Sequence, residues 1–186
     1  MKKRREIHGL ISSFKYALRG IAYCVVNERN MRIHMVVAAY VVAFSFFYHL
    51  DRYEIAILAL AIILVLSSEM MNTAVEAVVN LESEYYHHLA RISKDVAAGA
   101  VLLSALFSVF VGIQLFLRIE VLQRIWAFFL DNPWMFVLLA VSFVLAGLFI
   151  FWGPKKAIQR SRRAPPTVVM EGDRDLVKIW ESQPKE

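Results

Sequence analysis

Glu69, Asn72, Thr73, Glu76 and Asn80 interrupt an otherwise apolar run. At about 100° per residue these five positions fall on one face of a helix. Met70, Met71, Ala74, Val75, Ala77, Val78 and Val79 keep the other face apolar. A carboxylate near the hydrocarbon of a bilayer costs about 2.5–3.5 kcal/mol even on the lenient insertion scale. Two of them flanking an amide on one face therefore imply a function. Carboxylates and amide oxygens are hard donors, suited to Mg²⁺ held by one or two carboxylates together with the phosphates of a nucleotide. The alternative is a helix that has left the membrane by residue 69 and turns a polar face to water; the unbroken apolar face opposite weighs against it.

Further charged groups belong to the same inventory. Glu28 lies in Asn27-Glu28-Arg29-Asn30, ahead of the first apolar stretch, and serves either as a third carboxylate of the site or as the neutraliser of Arg29 or Arg32. Residues 81–95 read as a short loop with Glu84, Tyr85, Tyr86, His87, His88, Arg91, Lys94 and Asp95. Lys94, just before Val96, is expected at the start of the next helix, where free N–H groups favour an anion such as an ATP phosphate. The plainer reading has Ser93 as N-cap, Asp95 as a first-turn acid and Lys94 as an interfacial cation. The Glu84-to-His87 spacing matches half of a di-iron motif, which needs a second copy and two more Glu. Glycine-rich nucleotide loops and kinase signatures are missing, and the 7 glycines stand singly. Any ATP site must be assembled from helix faces and a loop.

The elements that position these residues follow from composition. Of 186 residues, 59% are hydrophobic, with a mean hydropathy of +0.52, above the roughly 45–50% of ordinary soluble domains. Cys24 is the single cysteine, so neither an internal disulfide nor a paired-Cys metal site can form. Four apolar stretches are candidate spans: Ile33–Leu50, Ile55–Ser68 continuing helically to Asn80, Val96–Leu117, and Trp134–Trp152 with an indole at each end. Ile7, Leu10, Ile11, Phe14, Leu18, Ile21, Ala22 and Val25 recur every three or four residues and predict an amphipathic helix in the membrane interface or packed on the bundle.

Lys2, Lys3, Arg4, Arg5, Lys15, Arg19, Arg29 and Arg32 make the start basic, and Lys/Arg outnumber acids after Gly153. The links at 51–54 and 118–133 carry little net charge. The positive-inside rule then predicts cytoplasmic termini, and Ser12, Ser13 and Lys15 break any signal-peptide core. All 5 prolines stand at or after Pro133, so residues 1 to about 120 read as one unit with an appended fourth span. The expected organisation is a cytoplasmic amphipathic segment over 1–32, a three-span core over 33–120, a link and fourth span over 121–152, and a basic, disordered tail over 153–186 in which Leu176–Trp180 is a docking candidate.

At this point the residues resemble a known family. Glu69-Met-Met-Asn-Thr-Ala-Val-Glu76-Ala-Val-Val-Asn80 is similar to the signature of the small bacterial membrane lipid kinases, the diacylglycerol kinase and undecaprenol kinase family. Ser-Glu-Tyr before His87, Lys94-Asp95-Val-Ala-Ala-Gly-Ala-Val and Asn27-Glu28-Arg-Asn-Met-Arg32-Ile-His34 resemble it too, over about residues 10–118. The resemblance implies an all-α polytopic bundle, with an interfacial amphipathic helix, three core spans and here a fourth. Glu69 matches the base that takes the lipid hydroxyl proton, Asn72 the amide beside it, and Glu28 and Glu76 the pair that holds Mg²⁺ of the nucleotide. Lys94, Asp95, Tyr16, Tyr86 and His87 match nucleotide-contacting positions, and a homotrimer with shared sites is implied. Asn80 replaces the family's usual Asp, and His34 together with the 29–34 spacing looks closer to the polyprenol branch.

The expected activity is transfer of the ATP γ-phosphoryl group to a lipid hydroxyl at the inner bacterial membrane, with no nucleic-acid partner. Undecaprenol is the favoured acceptor and diacylglycerol the alternative. A transporter or assembly subunit using Glu69 and Glu76 as an ion path is the reading from another class. It would call for polar groups in other spans, and Val96–Leu117 offers only Ser104, Ser108 and Gln114.

Overall fold

The computed structural model describes residues 2–82 and 88–153, with side chains over 11–80 and 88–153. Six helices follow in order: α1 (Lys2–Asn27), α2 (Arg29–Ser45), α3 (Arg52–Glu82), α4 (His88–Phe116), α5 (Ile119–Asp131) and α6 (Trp134–Trp152). No strand occurs among the described residues. Helices close their own backbone hydrogen bonds, which is what a chain without water around it requires.

Glu28 alone separates α1 from α2. Its backbone is extended (φ −102°, ψ 119°), yet its N–H still reaches Cys24 O at 2.8 Å and its carbonyl accepts Arg32 N at 3.4 Å. One residue therefore redirects the chain while both helices run up to it. The start of α3 is fixed by a reciprocal cap. Asp51 Oδ1 accepts from the N–H groups of Tyr53 (2.7 Å) and Glu54 (2.9 Å), and Glu54 Oε2 accepts from Asp51 N at 3.0 Å. Arg118, at the α4–α5 joint, forms an ion pair with Glu54. Tyr48 donates to Phe116 O at 2.9 Å, tying the α2–α3 turn to the end of α4.

The core is built on the α3–α4 hairpin. Leu58, Ala61, Val111 and Leu115 are buried together, with Val41, Leu50, Ile62 and Phe116 against them. Ser108 donates to Ala61 O at 3.1 Å, a close approach between the two backbones that small residues permit in membrane bundles. α6 lies on α2, where the Tyr40 and Ser142 hydroxyls meet at 2.9 Å and the rings of Tyr40 and Phe143 stack at 5.0 Å.

Three helices, α3, α4 and α6, are long and apolar enough to cross a membrane. Their outward apolar side chains, such as Leu103 and Val144, are exposed in the isolated chain, as lipid-facing positions should be. The protein is an integral membrane protein. The sequence leads to four spans, and here the first differs. In place of Ile33–Leu50, α2 has 17 residues and rises about 26 Å, short of a hydrocarbon core of about 30 Å. Its apolar run continues into the Phe46–His49 turn, where His49 takes a left-handed backbone (φ 46°).

Two other expectations are corrected. α4 begins at His88, so Lys94 stands in its second turn and not at its start. The 118–133 link holds α5, a 13-residue helix whose Phe128 and Phe129 meet the rings of Phe47 and Phe136.

Candidate functional site

The polar face of α3 is the spine of the site. Glu69 is 1% exposed, Thr73 is buried, and Asn72 and Glu76 are half-buried. Burial thus falls along the helix from Glu69 to the exposed Asn80, a rise of about 16 Å. Thr73 donates its hydroxyl to Glu69 O at 3.0 Å, as a helical threonine commonly does. Asn72 Nδ2 donates to Glu76 Oε1 at 3.2 Å. Glu69 Oε2 and Asn72 Oδ1 are buried acceptors without a hydrogen-bond partner among the described residues. Buried acceptors are normally paired, so two orphans on one helix face mark a place where a donor from outside belongs.

The end of α1 closes over this face. Burial pushes the Cys24 thiol up; its hydrogen bond with Thr73 opposes that, and the charges of Glu28 and Glu69 add to it. Glu28, at the α1–α2 joint, is half-buried. Burial pushes its carboxyl above the usual carboxylate range, the charge of Glu76 adds to the effect, and Arg32 opposes it. Cys24, Glu28, Glu69, Thr73 and Glu76 therefore form one electrostatic neighbourhood, with acidic charge in excess.

That excess bears on whether Mg²⁺ fits. Among the described residues no three His, Cys, Asp or Glu side chains gather as a complete ligand set. Two carboxylates do come near each other, Glu28 and Glu76, and the charge of Glu76 raises the cost of ionising Glu28. A divalent cation that draws its remaining ligands from phosphate oxygens and water needs no more than this pair. The donor set fits a metal carried in with a nucleotide better than a resident one.

At the far end of the face, Lys94 Nζ donates to Asn80 Oδ1 at 2.7 Å. The ammonium is thus delivered by the second turn of α4, and the expected role of free helix-terminal N–H groups does not arise there. Ser93 is not an N-cap; its hydroxyl donates to Leu89 O at 3.0 Å. Asp95 points elsewhere, exposed and 3.9 Å from Arg91 Nε. Tyr16 is 64% exposed on α1 beneath the Arg19 guanidinium and joins none of these contacts. Tyr86, His87 and Glu84 lie outside the described residues, as do Leu176–Trp180.

Below Glu69 the polar face gives way to an apolar cavity. It holds about 400 Å³ and is lined by Ile33, His34 and Val37 of α2, Val65 of α3 and Ala105 of α4. Val65 precedes Glu69 by one turn on the same face. A second cavity of about 560 Å³ continues it toward α5, sharing Val41, Val109 and Gly112 with the first and ending at Leu122 and Ile125. Together they make an apolar trench from beside Glu69 to the opposite end of α4.

The family model for prokaryotic diacylglycerol kinase matches residues 15–116, more than half of the chain. This chain belongs to the prokaryotic diacylglycerol kinase family. It is 45% identical over 104 residues to a diacylglycerol kinase of Synechocystis sp., a match over 55% of this chain and 59% of that protein. It is 38% identical over 114 residues to the undecaprenol kinase of Bacillus subtilis, covering 61% of this chain and 93% of the relative. A diacylglycerol kinase of Haemophilus influenzae is 30% identical over 104 residues. The family match ends at the last residue of α4, so α5 and α6 are additions to the family's common part.

Arg32 stands in the sequence as a candidate partner of Glu28 and as part of the 27–34 motif, but not as a buried cap. It is completely buried and donates to three backbone carbonyls. A basic residue immediately before the Ile33–Leu50 stretch was the available signal, since a cation at the edge of a span must find partners.

Proposed function

We propose that this chain is an ATP-dependent lipid kinase that phosphorylates undecaprenol, with diacylglycerol as the alternative acceptor. The observation that carries the reading is Glu69, buried on the membrane side of the polar face with an unpartnered carboxylate oxygen. A lipid hydroxyl arriving from the bilayer can donate to that oxygen and then give up its proton as its own oxygen bonds to the γ-phosphorus. The bond from that phosphorus to the β–γ bridging oxygen breaks, and ADP leaves. Asn72 holds Glu76 by its amide and offers Oδ1 beside the reacting hydroxyl. Glu28 and Glu76 would hold Mg²⁺ with the nucleotide, which offsets the phosphates' charge. Lys94, about 6 Å farther along the face than Glu76, meets the phosphates from α4. Phosphoryl transfer asks mainly for such positioning and charge compensation.

The trench supports the finer choice of acceptor. A diacylglycerol keeps its chains within one leaflet, whereas the trench passes from beside Glu69 to α5 at the other end of the membrane-spanning helices. A long isoprenoid chain matches that length. The similarity to a relative named undecaprenol kinase over 93% of its length points the same way, and that to a relative named diacylglycerol kinase keeps the alternative. Basic residues at both ends favour cytoplasmic termini and an ATP site on that side. The same reading includes the homotrimer implied by the resemblance.

The test presents both lipids in bilayers to the purified full chain with labelled ATP. Faster labelling of undecaprenol is the expected result. Preference for diacylglycerol would reverse the acceptor, and labelling of neither, with Mg²⁺ present, would refute the kinase reading.

A further inference from the structure

α6 lies beyond the family match, yet its last turn reaches the site. Ile150 O accepts Arg32 Nε at 3.1 Å. The same guanidinium uses Nη1 to bond Val25 O (3.1 Å) and Val26 O (2.9 Å), the closing carbonyls of α1. One cation therefore caps two helix C-termini, where unpaired carbonyls and the helix dipole both favour positive charge. Arg29 adds a second link, its guanidinium 5.0 Å from the ring of Phe151.

Gly153 completes the arrangement. A Cβ at that position would stand 2.8 Å from both Cζ and Nε of Arg32 and 2.9 Å from Cδ, closer than any side chain can come. The guanidinium is fully buried, so it has little room to yield. Gly147, one and a half turns earlier on the same helix, has nothing within 4 Å of its Cβ position. The close approach is thus particular to the place where α6 meets Arg32.

Arg32 stands one turn after Glu28, and its charge opposes the rise of the Glu28 carboxyl. It nevertheless makes no ion pair with Glu28: Nε and Nη1 are held on carbonyls, and the buried Nη2 has no hydrogen-bond partner among the described residues. An arginine freed from Ile150 and the end of α1 would find the Glu28 carboxylate its strongest neighbour, because charge-assisted bonds exceed neutral ones. Glu28 would then be neutralised by the chain's own cation.

We propose that α6 is a positioning element for the nucleotide end of the site: through Ile150 O and Gly153 it holds Arg32 on the α1 carbonyls and so leaves Glu28 free to bind a magnesium–nucleotide complex. This rests on the lipid-kinase reading for its catalytic consequence, but its first consequence is binding. Arg32 and Gly153 act through Glu28 and touch no substrate.

The experiment compares Gly153→Ala with Gly147→Ala in the full-length protein reconstituted in nanodiscs. Direct Mg-ATP binding is measured by calorimetry, alongside KM for Mg-ATP, KM for lipid and kcat. Gly153→Ala is expected to weaken Mg-ATP binding and raise its KM on the order of tenfold, as for one charge-assisted contact, with KM for lipid unchanged. Gly147→Ala is expected to match the wild type. The double variant Tyr40→Phe/Ser142→Ala loosens α6 from α2 without touching Arg32, and should shift Mg-ATP affinity in the same direction; it serves if Gly153→Ala fails to insert. Unchanged Mg-ATP affinity in these variants overturns the proposal, as does an equal loss in lipid KM, which would mark α6 as merely structural. Wild-type protein that binds Mg-ATP but phosphorylates no lipid would refute the kinase reading while leaving the binding shift to decide this one; wild-type protein that binds no Mg-ATP refutes both.

Discussion

Lys94 on α4 donates its ammonium to Asn80 Oδ1 on α3 across 2.7 Å. Where the family resemblance leads one to expect an aspartate, the amide supplies the same acceptor oxygen without the charge. The contact that holds Lys94 is thus made to a neutral acceptor, and its positive charge is left undiminished for the phosphate proposed to bind there. Asn80→Asp is expected to keep turnover within about twofold, with Mg-ATP binding less sensitive to salt because the added carboxylate offsets the Lys94 charge. Asn80→Ala removes the acceptor and should raise KM for Mg-ATP on the order of fivefold at unchanged kcat. Steady-state kinetics at two ionic strengths check both, and an Asn80→Ala variant with wild-type KM would show that the contact does not orient Lys94.

Glu69 and Glu76 share a face but not an environment. Glu69 is closed off with an orphaned oxygen, whereas Glu76 is half-buried, bonded to Asn72 and set against Glu28. Their amide variants should therefore fail differently. Glu69→Gln removes the proposed proton acceptor, and kcat should fall about 10²–10⁴-fold while Mg-ATP still binds. Glu76→Gln removes half of the carboxylate pair, and Mg-ATP binding itself should be lost. Both proteins should still insert. Calorimetric binding beside single-turnover rates separates the two, and equal binding defects in both would contradict the division of labour.

Glu28 links function to stability. Its carboxyl is pushed above the ordinary carboxylate range, chiefly by burial and then by Glu76. Between the unfolded pKa and the raised folded one, the native state binds more protons than the unfolded state, so stability falls as pH rises through that window. In Mg²⁺-free buffer, Glu28→Gln is accordingly expected to be more stable than the wild type at neutral pH, and the advantage should vanish below the ordinary carboxylate range. Adding Mg-ATP should reverse the order, since only the wild type gains binding energy. Thermal unfolding in detergent across pH, with and without Mg-ATP, measures this; a variant less stable than wild type at neutral pH without ligand would contradict it.

The polar face of the candidate site is more legible in the sequence than the frame that carries it. The spacing from Glu69 to Asn80 specifies one helix face because helical periodicity is local, and the structure keeps that face on α3. The start of α4 differs because Leu81–Asp95 is rich in polar and charged residues, which read as loop; His88–Asp95 is helical nonetheless, a largely exposed extension that continues the long span. α5 was passed over because Arg118, Glu120, Arg124 and Asp131 resemble a charged link, although Val121 and Phe129 are buried. Arg32 could be seen as a cation beside a span, but its partners Val25, Val26 and Ile150 are carbonyls, one of them 118 positions away. Backbone acceptors at long range leave no mark on composition.

The trench makes a prediction about chain length. Gly112 lines both of its halves, and a Cβ there meets nothing within 4 Å, so a side chain at this position would enter the open space without disturbing the α3–α4 contact. Gly112→Leu should narrow the passage midway between Glu69 and α5. A long polyprenol threaded past that point then loses binding, and its KM should rise on the order of tenfold, the scale of an overpacked apolar site. A short-chain prenol whose tail ends before Gly112 should be phosphorylated with unchanged KM and kcat. Because the reacting hydroxyl and Mg-ATP are far from the substitution, kcat at saturating long-chain lipid should also hold. Equal losses for the short and long acceptors would mean that the chain does not run along the trench, and a long acceptor unaffected by the leucine would place it on another face of the bundle.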